Sequence, residues 1–216
     1  MTTLKGFIFD MDGVVVDNHP YHFSAWMEFS KKHNYPLTEE IYRDRFNGKT
    51  NADLFPMMFG NISESDIKKY SLEKEEMYRK TYLEHMMAHK GLVDYLEFLK
   101  SKKMKVALGT SAPTENVDFV LDHLKLRKYF DVIVDGTMVK KGKPDPEVYQ
   151  LCCMRLGLEP SQCVVFEDSL AGLESGKRAG CSIVGIATSH KAYELKPLTD
   201  QIVHDFTEPL VKGLVG

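Results

Sequence analysis

Two carboxylates, Asp10 and Asp12, stand two residues apart just after the short apolar run Phe7-Ile8-Phe9, and Gly13 follows them. Ionised side chains at the carboxyl end of a buried strand face a cleft rather than bulk water. Acids paired there repel one another unless positive charge lies between them. A nucleophile beside an acid/base group, with a divalent cation neutralising both, accounts for such a pair. Asp and Gly are also common in solvated turns, so Asp10-Met11-Asp12-Gly13 is a weak signal by itself. It does not stand by itself: Thr110, Lys143 and Glu167-Asp168 follow at the ends of later strand-like segments.

Short apolar runs that could carry these stations are Phe7–Phe9, Val106–Leu108, Val132–Val134, Val164–Phe166 and Ile183–Ile186. Helical periodicity fills the intervals. Val117, Val120, Leu121 and Leu124 fall at i, i+3, i+4 and i+7, and Val148, Leu151, Cys152 and Leu156 repeat the pattern. Leu92, Leu96 and Leu99 form a stripe before the second run, and a helix from near Ser169 is predicted to end at Gly180. Alternating strands and helices predict an α/β fold with a doubly wound, mostly parallel sheet, its site at the strands' carboxyl ends. Between Asp17 and Lys90 the alternation stops. Helical stretches are predicted there at His19–His33, Glu39–Phe46, Asn51–Phe59 and Ser65–Met87. Residues 1–16 and 91–216 are therefore read as the core, and 17–90 as a helical cap over the first strand's end, controlling entry of water and substrate.

The chain has 216 residues, enough for one domain of ordinary size plus a smaller one, and carries a net charge of −3. Its lysines and arginines are scattered, and the runs near Lys102-Lys103 and Lys140-Lys141 read as solvated faces rather than a nucleic-acid surface. The four cysteines lack metal or disulfide spacing and fit a reducing compartment. Neither a signal peptide nor a membrane-length apolar stretch is evident, so the expected location is cytoplasmic, for a monomer or small homo-oligomer.

Together, Asp10-Met11-Asp12-Gly13, Thr110-Ser111, Lys143-Pro144 and Glu167-Asp168 resemble the four signature motifs of the haloacid dehalogenase superfamily, over essentially the whole chain. The run Asp17-Asn18-His19-Pro20-Tyr21-His22-Phe23-Ser24-Ala25-Trp26 is similar to its β-phosphoglucomutase-like branch of phosphatases and phosphohexomutases. The resemblance implies a small phosphorylated metabolite as substrate and Mg²⁺ as cofactor. Asp10 is suited to attack phosphorus and form an aspartyl phosphate, and Asp12 to protonate the leaving oxygen and then deprotonate the incoming nucleophile. Asp10, the Asp12 carbonyl and Asp168 would ligate Mg²⁺, with Glu167 orienting a retained water. Thr110 and Lys143 would hold the phosphoryl group. Standing alone, Thr110 reads equally as a helix cap, Lys143 as a loop lysine, and Glu167-Asp168 as acids favoured at a helix start.

His22 resembles a cap histidine that meets the acid/base aspartate on closure, and Lys74, four before Tyr78, a substrate-binding lysine of the mutases. Asn51 occupies the position where the mutases carry an arginine for a distal phosphate, with Lys49 nearby as a partial substitute. Ser111-Ala112-Pro113 lacks the lysine typical of the mutase loop. These departures favour a phosphatase over a phosphohexomutase. A non-catalytic protein that binds a phosphometabolite would need no Asp10–Asp12 pair.

Overall fold

A computed structural model describes residues 3–46 and 49–215. Asn47 and Gly48 lie outside the described residues. In chain order the elements are β1 (Gly6–Phe9), α1 (His19–Lys32), α2 (Glu39–Ile41), α3 (Asn51–Phe59), α4 (Glu64–Tyr82), α5 (Leu92–Ser101) and β2 (Lys105–Gly109). They continue with α6 (Thr114–His123), β3 (Val132–Val134), α7 (Glu147–Leu156), β4 (Cys163–Glu167), α8 (Leu170–Ala179), β5 (Ser182–Ile186), α9 (Ala192–Leu195), β6 (Gln201–Val203) and α10 (Pro209–Gly213). A π-helical stretch, Tyr42–Phe46, continues α2, and a 3₁₀ turn, Leu83–His85, ends the long α4. The helices predicted at Glu39–Phe46 and Ser65–Met87 are therefore each two-part.

All six strands are parallel, in the order β3-β2-β1-β4-β5-β6. From β1 the chain builds outward through β2 and β3, then crosses to β4 on β1's other flank. The connections diverge there, leaving a crevice at the carboxyl ends of β1 and β4. Phe9 pairs with both Leu108 and Phe166, so Asp10, Thr110 and Glu167 emerge at one edge of the sheet.

Side-chain alternation along the strands builds two cores. Phe7, Phe9, Val106, Leu108, Val164 and Phe166 pack on one face with Leu92, Leu96, Val117 and Val120 from α5 and α6. Ile8, Ala107, Val165 and Ile183 pack on the other with Val148, Cys152 and Leu173 from α7 and α8. Phe9 and Phe166 stack with centroids 4.7 Å apart. Truncating Phe166 to Ala would cost about 3–5 kcal/mol, because a packed, fully buried ring leaves a cavity. All four cysteines are free and buried.

The segment between β1 and α5 forms a third apolar cluster of Trp26, Phe29, Leu37, Phe46, Leu54 and Phe55. Helix α4 joins this segment to the sheet's core, since Tyr78 and Tyr82 belong to the cluster containing Phe9. The outgoing and returning chains run side by side: Val16 bridges Ala88, and His89 N–H donates to Val15 O at 2.8 Å. Among the described residues no helix is long and apolar enough to cross a membrane.

Candidate active site

Lys143 lies between two buried carboxylates. Its Nζ is 2.9 Å from Asp10 Oδ1 and 2.5 Å from Glu167 Oε1. The contact to Asp10 is an ion pair without hydrogen-bond alignment, so the buried Asp10 Oδ1 has no donor. Glu167 is fully engaged. Tyr149 Oη donates to its Oε1 at 2.9 Å, while the amides of Asp168 and Ser169 donate to Oε2 at 2.8 and 2.9 Å. Ser169 Oγ also caps α8, accepting from Gly172 N–H at 3.0 Å. Only glycine fits at 172, because a Cβ there would lie 1.7 Å from Glu167 Oε1. The helix start thus closes down on the carboxylate, and its amides favour the negative charge.

Asp12 turns the other way. Its Oδ1 accepts from Asn18 Nδ2 at 2.6 Å and lies 3.4 Å from His22 Nε2. Lys74 Nζ donates to His22 Nδ1 at 3.1 Å. An ammonium only donates, so a neutral His22 must carry its proton on Nε2, towards Asp12. Burial and the Lys74 charge push His22 down, favouring that neutral form. Burial raises Asp12, but His22, Asn18 and His19 outweigh it and hold the carboxyl well below its usual range. His19 Nε2 meets Asp168 Oδ2 at 2.6 Å. Burial opposes its protonation, yet Asp168, with Asp12 and Asp17, raises His19 to about 9. Gly13, at φ 78°, lets the backbone pass between them, since a Cβ would lie 2.2 Å from Asp168 Oδ2.

Oxygen atoms of Asp10, Glu167 and Asp168 converge within 4.8 Å of one another. The charges there do not balance. Burial raises the Asp10 pKa well above its ordinary value, Lys143 lowers it only in part, and Glu167, Asp12 and Asp168 raise it again. Keeping Asp10 ionised calls for more positive charge than Lys143 supplies. An all-oxygen set with an orphaned carboxylate oxygen fits a hard divalent cation such as Mg²⁺. The Asp12 carboxylate lies outside this set, which leaves its backbone carbonyl as the group to consider.

These side chains line a cavity of about 270 Å³, shared between the sheet edge and the inserted helices. Thr110 is buried on its wall. Its Oγ1 accepts from the Ala112 amide at 3.1 Å, which leaves the hydroxyl proton free to donate. Ser111, Lys49, Asn51 and Lys74 line it as well, so every sequence-predicted station reaches this one space except Glu167, which lies behind Lys143. Lys74, over the Trp26 ring at 5.0 Å, is tied to Glu75 at 2.9 Å. The sequence reading missed Asn18, His19, Glu75 and Tyr149. Asn18 and His19 lie inside the motif run already quoted, and Glu75 adjoins Lys74. Nothing in the local sequence marks Tyr149.

The family model described as "haloacid dehalogenase-like hydrolase" matches residues 7–186. A "phosphorylated carbohydrates phosphatase" of Thermotoga maritima is 38% identical over 188 residues, covering 86% of this chain and 87% of that protein. A "beta-phosphoglucomutase" of Bacillus subtilis is 31% identical over 194 residues, covering 85% and 83%. The crystal structure of a "HAD hydrolase, family IA, variant 3" from Entamoeba histolytica superposes with a TM-score of 0.85 at 31% identity, covering 100% of this chain and 98% of that one.

Proposed function

The chain belongs to the haloacid dehalogenase-like hydrolases, and we propose that it is a Mg²⁺-dependent phosphatase that hydrolyses a small phosphorylated metabolite, a sugar phosphate, through an aspartyl-phosphate intermediate. The observation that carries this reading is Asp10 itself. It is a buried carboxylate, ion-paired through Oδ1 with Lys143, on a residue that lines a metabolite-sized cavity. In this reading residues 17–90 are a cap that encloses the leaving group.

Asp10 attacks phosphorus, and the ester oxygen leaves. Lys143 Nζ and the Thr110 hydroxyl bind the non-bridging oxygens, where charge is concentrated in the transition state. Asp12 serves both halves of the reaction. Giving its proton to the departing oxygen leaves Asp12 as a carboxylate, able to take a proton from the water that hydrolyses the aspartyl phosphate. Asn18 and His22 fix its orientation. Asp10, Asp168 and the Asp12 carbonyl would hold Mg²⁺, with Glu167 behind them fixing Lys143. Bound there, the ion would supply the positive charge that keeps Asp10 ionised and the phosphoryl group neutralised.

A phosphohexomutase is the second reading, favoured by the similarity to a β-phosphoglucomutase. Against it, the Asn51 amide is committed to Glu75, and Lys74 is neutralised by the same carboxylate. A mutase must hold two phosphates while its intermediate turns round. The experiment supplies β-glucose 1-phosphate with a catalytic amount of the 1,6-bisphosphate and Mg²⁺, and assays phosphate and glucose 6-phosphate together. Phosphate release should outrun isomerisation. Isomerisation faster by an order of magnitude would establish the mutase, and neither product from any sugar phosphate tested would remove both readings.

A further inference from the structure

We infer that Glu75 sets the charge of the leaving group this pocket accepts, selecting an uncharged, hydroxyl-bearing moiety and disfavouring a second anionic group; the inference rests on the phosphatase reading. Lys74 and Glu75 both line the cavity and are only 2% and 5% exposed. Their Nζ–Oε1 distance is 2.9 Å. A lone buried lysine at this place would be a strong anchor for a distal phosphate or carboxylate. Paired, it contributes almost no net field, and an arriving anion would meet Glu75 at the same moment.

Glu75 also decides what the neighbouring amides can offer. Asn51 Nδ2 donates to its Oε1 at 2.8 Å and Asn116 Nδ2 to its Oε2 at 2.6 Å. A carboxylate only accepts, so each amide must turn its NH₂ towards Glu75 and its carbonyl oxygen away. The Asn116 carbonyl is taken by Arg79 Nη1 at 2.8 Å. The Asn51 carbonyl has no protein donor among the described residues, and Asn51 lines the cavity. Within this cluster, what remains for a ligand is an acceptor on Asn51 and the last proton of Lys74, whose other directions go to His22 and Glu75. A donor–acceptor pair of that kind matches a hydroxyl, which gives one bond and takes one. An anion cannot donate to Asn51. Of the other two lysines at the wall, Lys143 is paired with Asp10 and Glu167, and Lys49 is half-buried, so water screens its charge.

The test reads binding, in an Asp10→Asn background that cannot turn over. Calorimetry with Mg²⁺ compares β-glucose 1-phosphate with glucose 1,6-bisphosphate. The parent should bind the monophosphate at least as tightly as the bisphosphate. Glu75→Gln keeps the shape, removes the charge and lets either amide flip, and should move the affinity ratio towards the bisphosphate by about tenfold. Glu75→Asp, which keeps the charge, should retain the parental preference. In the active chain the Glu75→Gln change should lie in KM for the bisphosphate rather than in kcat, a split that a general loosening of the fold would not give. If Glu75→Gln fails to fold, Lys74→Gln gives the converse reading, a still weaker bisphosphate complex. An unchanged ratio in Glu75→Gln, or a parent that prefers the bisphosphate tenfold, overturns the inference. Failure of the phosphatase reading would show separately, as an active chain that releases no phosphate from the monophosphate.

Discussion

Replacing Lys143 with Met removes the one ammonium between Asp10 and Glu167 while keeping the length of the side chain. Lys143 is 3% exposed, so no water waits to replace it. Breaking a buried pair by removing one partner costs about 3–5 kcal/mol, because the other charge is left uncompensated. Here the lower end applies. Glu167 retains Tyr149 and the Asp168 and Ser169 amides, whereas Asp10 Oδ1 has only the lysine. For a chain of this size, roughly 3 kcal/mol corresponds to a fall of about 6–12 °C in melting temperature. The loss should depend on pH in a stated direction. Asp10 already has a raised folded pKa, so its protonated form is favoured in the native state as pH falls, and without Lys143 that preference grows. The gap between variant and parent should therefore be largest at pH 8, shrink towards pH 5, and shrink again when Mg²⁺ is added at pH 8. Turnover should fall about 10²–10³-fold on every substrate alike, since in the proposed mechanism the lysine meets the transferring group and not the leaving group. Thermal denaturation at both pH values and a phosphate-release assay on several esters decide it. A melting temperature unchanged at pH 8, or turnover within tenfold of the parent, would refute the reasoning.

Asp10→Asn should abolish turnover with the circular-dichroism spectrum unchanged, and beryllium fluoride should modify Asp10 in the parent but not in the variant. Substantial activity in the purified variant would remove Asp10 as nucleophile. Exhaustive chelation should stop phosphate release, and Asp168→Ala should weaken Mg²⁺ binding at least tenfold by calorimetry, as loss of one carboxylate from a small oxygen set requires. Equal Mg²⁺ affinity in that variant would place the ion elsewhere. Burial raises Glu75, but Lys74, His22 and Asn116 outweigh it and hold its folded pKa below the unfolded value. Its contribution to stability is then present above about pH 4.5 and lost as pH falls through the folded value, so Glu75→Gln should flatten the acid limb of a melting-temperature profile. Identical acid limbs would show that the pairing contributes nothing.

The sheet and the edge that carries the candidate site were legible in the sequence because both are written locally. Apolar runs such as Val164–Phe166 cannot remain in water, and in a parallel sheet each ends at the same edge, so Asp10, Thr110 and Glu167 converge once strand register is granted. The stop of α8 at Gly180 was equally local, since the αL residue ending it has φ 89°. β6 went unseen: Gln201-Ile202-Val203 opens on an exposed polar residue and offers two apolar positions, where the equally short β3 offers three. What only the tertiary structure decided is who pairs with whom. His19 and Asp168 are 149 positions apart, Lys74 and His22 are 52 apart, and Tyr149 on α7 reaches Glu167 at the end of β4, 18 positions away. A sequence shows that Lys74 is a cation and Asn51 an amide. It does not show that one buried carboxylate, Glu75, neutralises the first and turns the second. The charge a pocket presents is a sum over neighbours brought together by packing, and at low dielectric that sum, rather than any residue's own type, fixes what the pocket can hold.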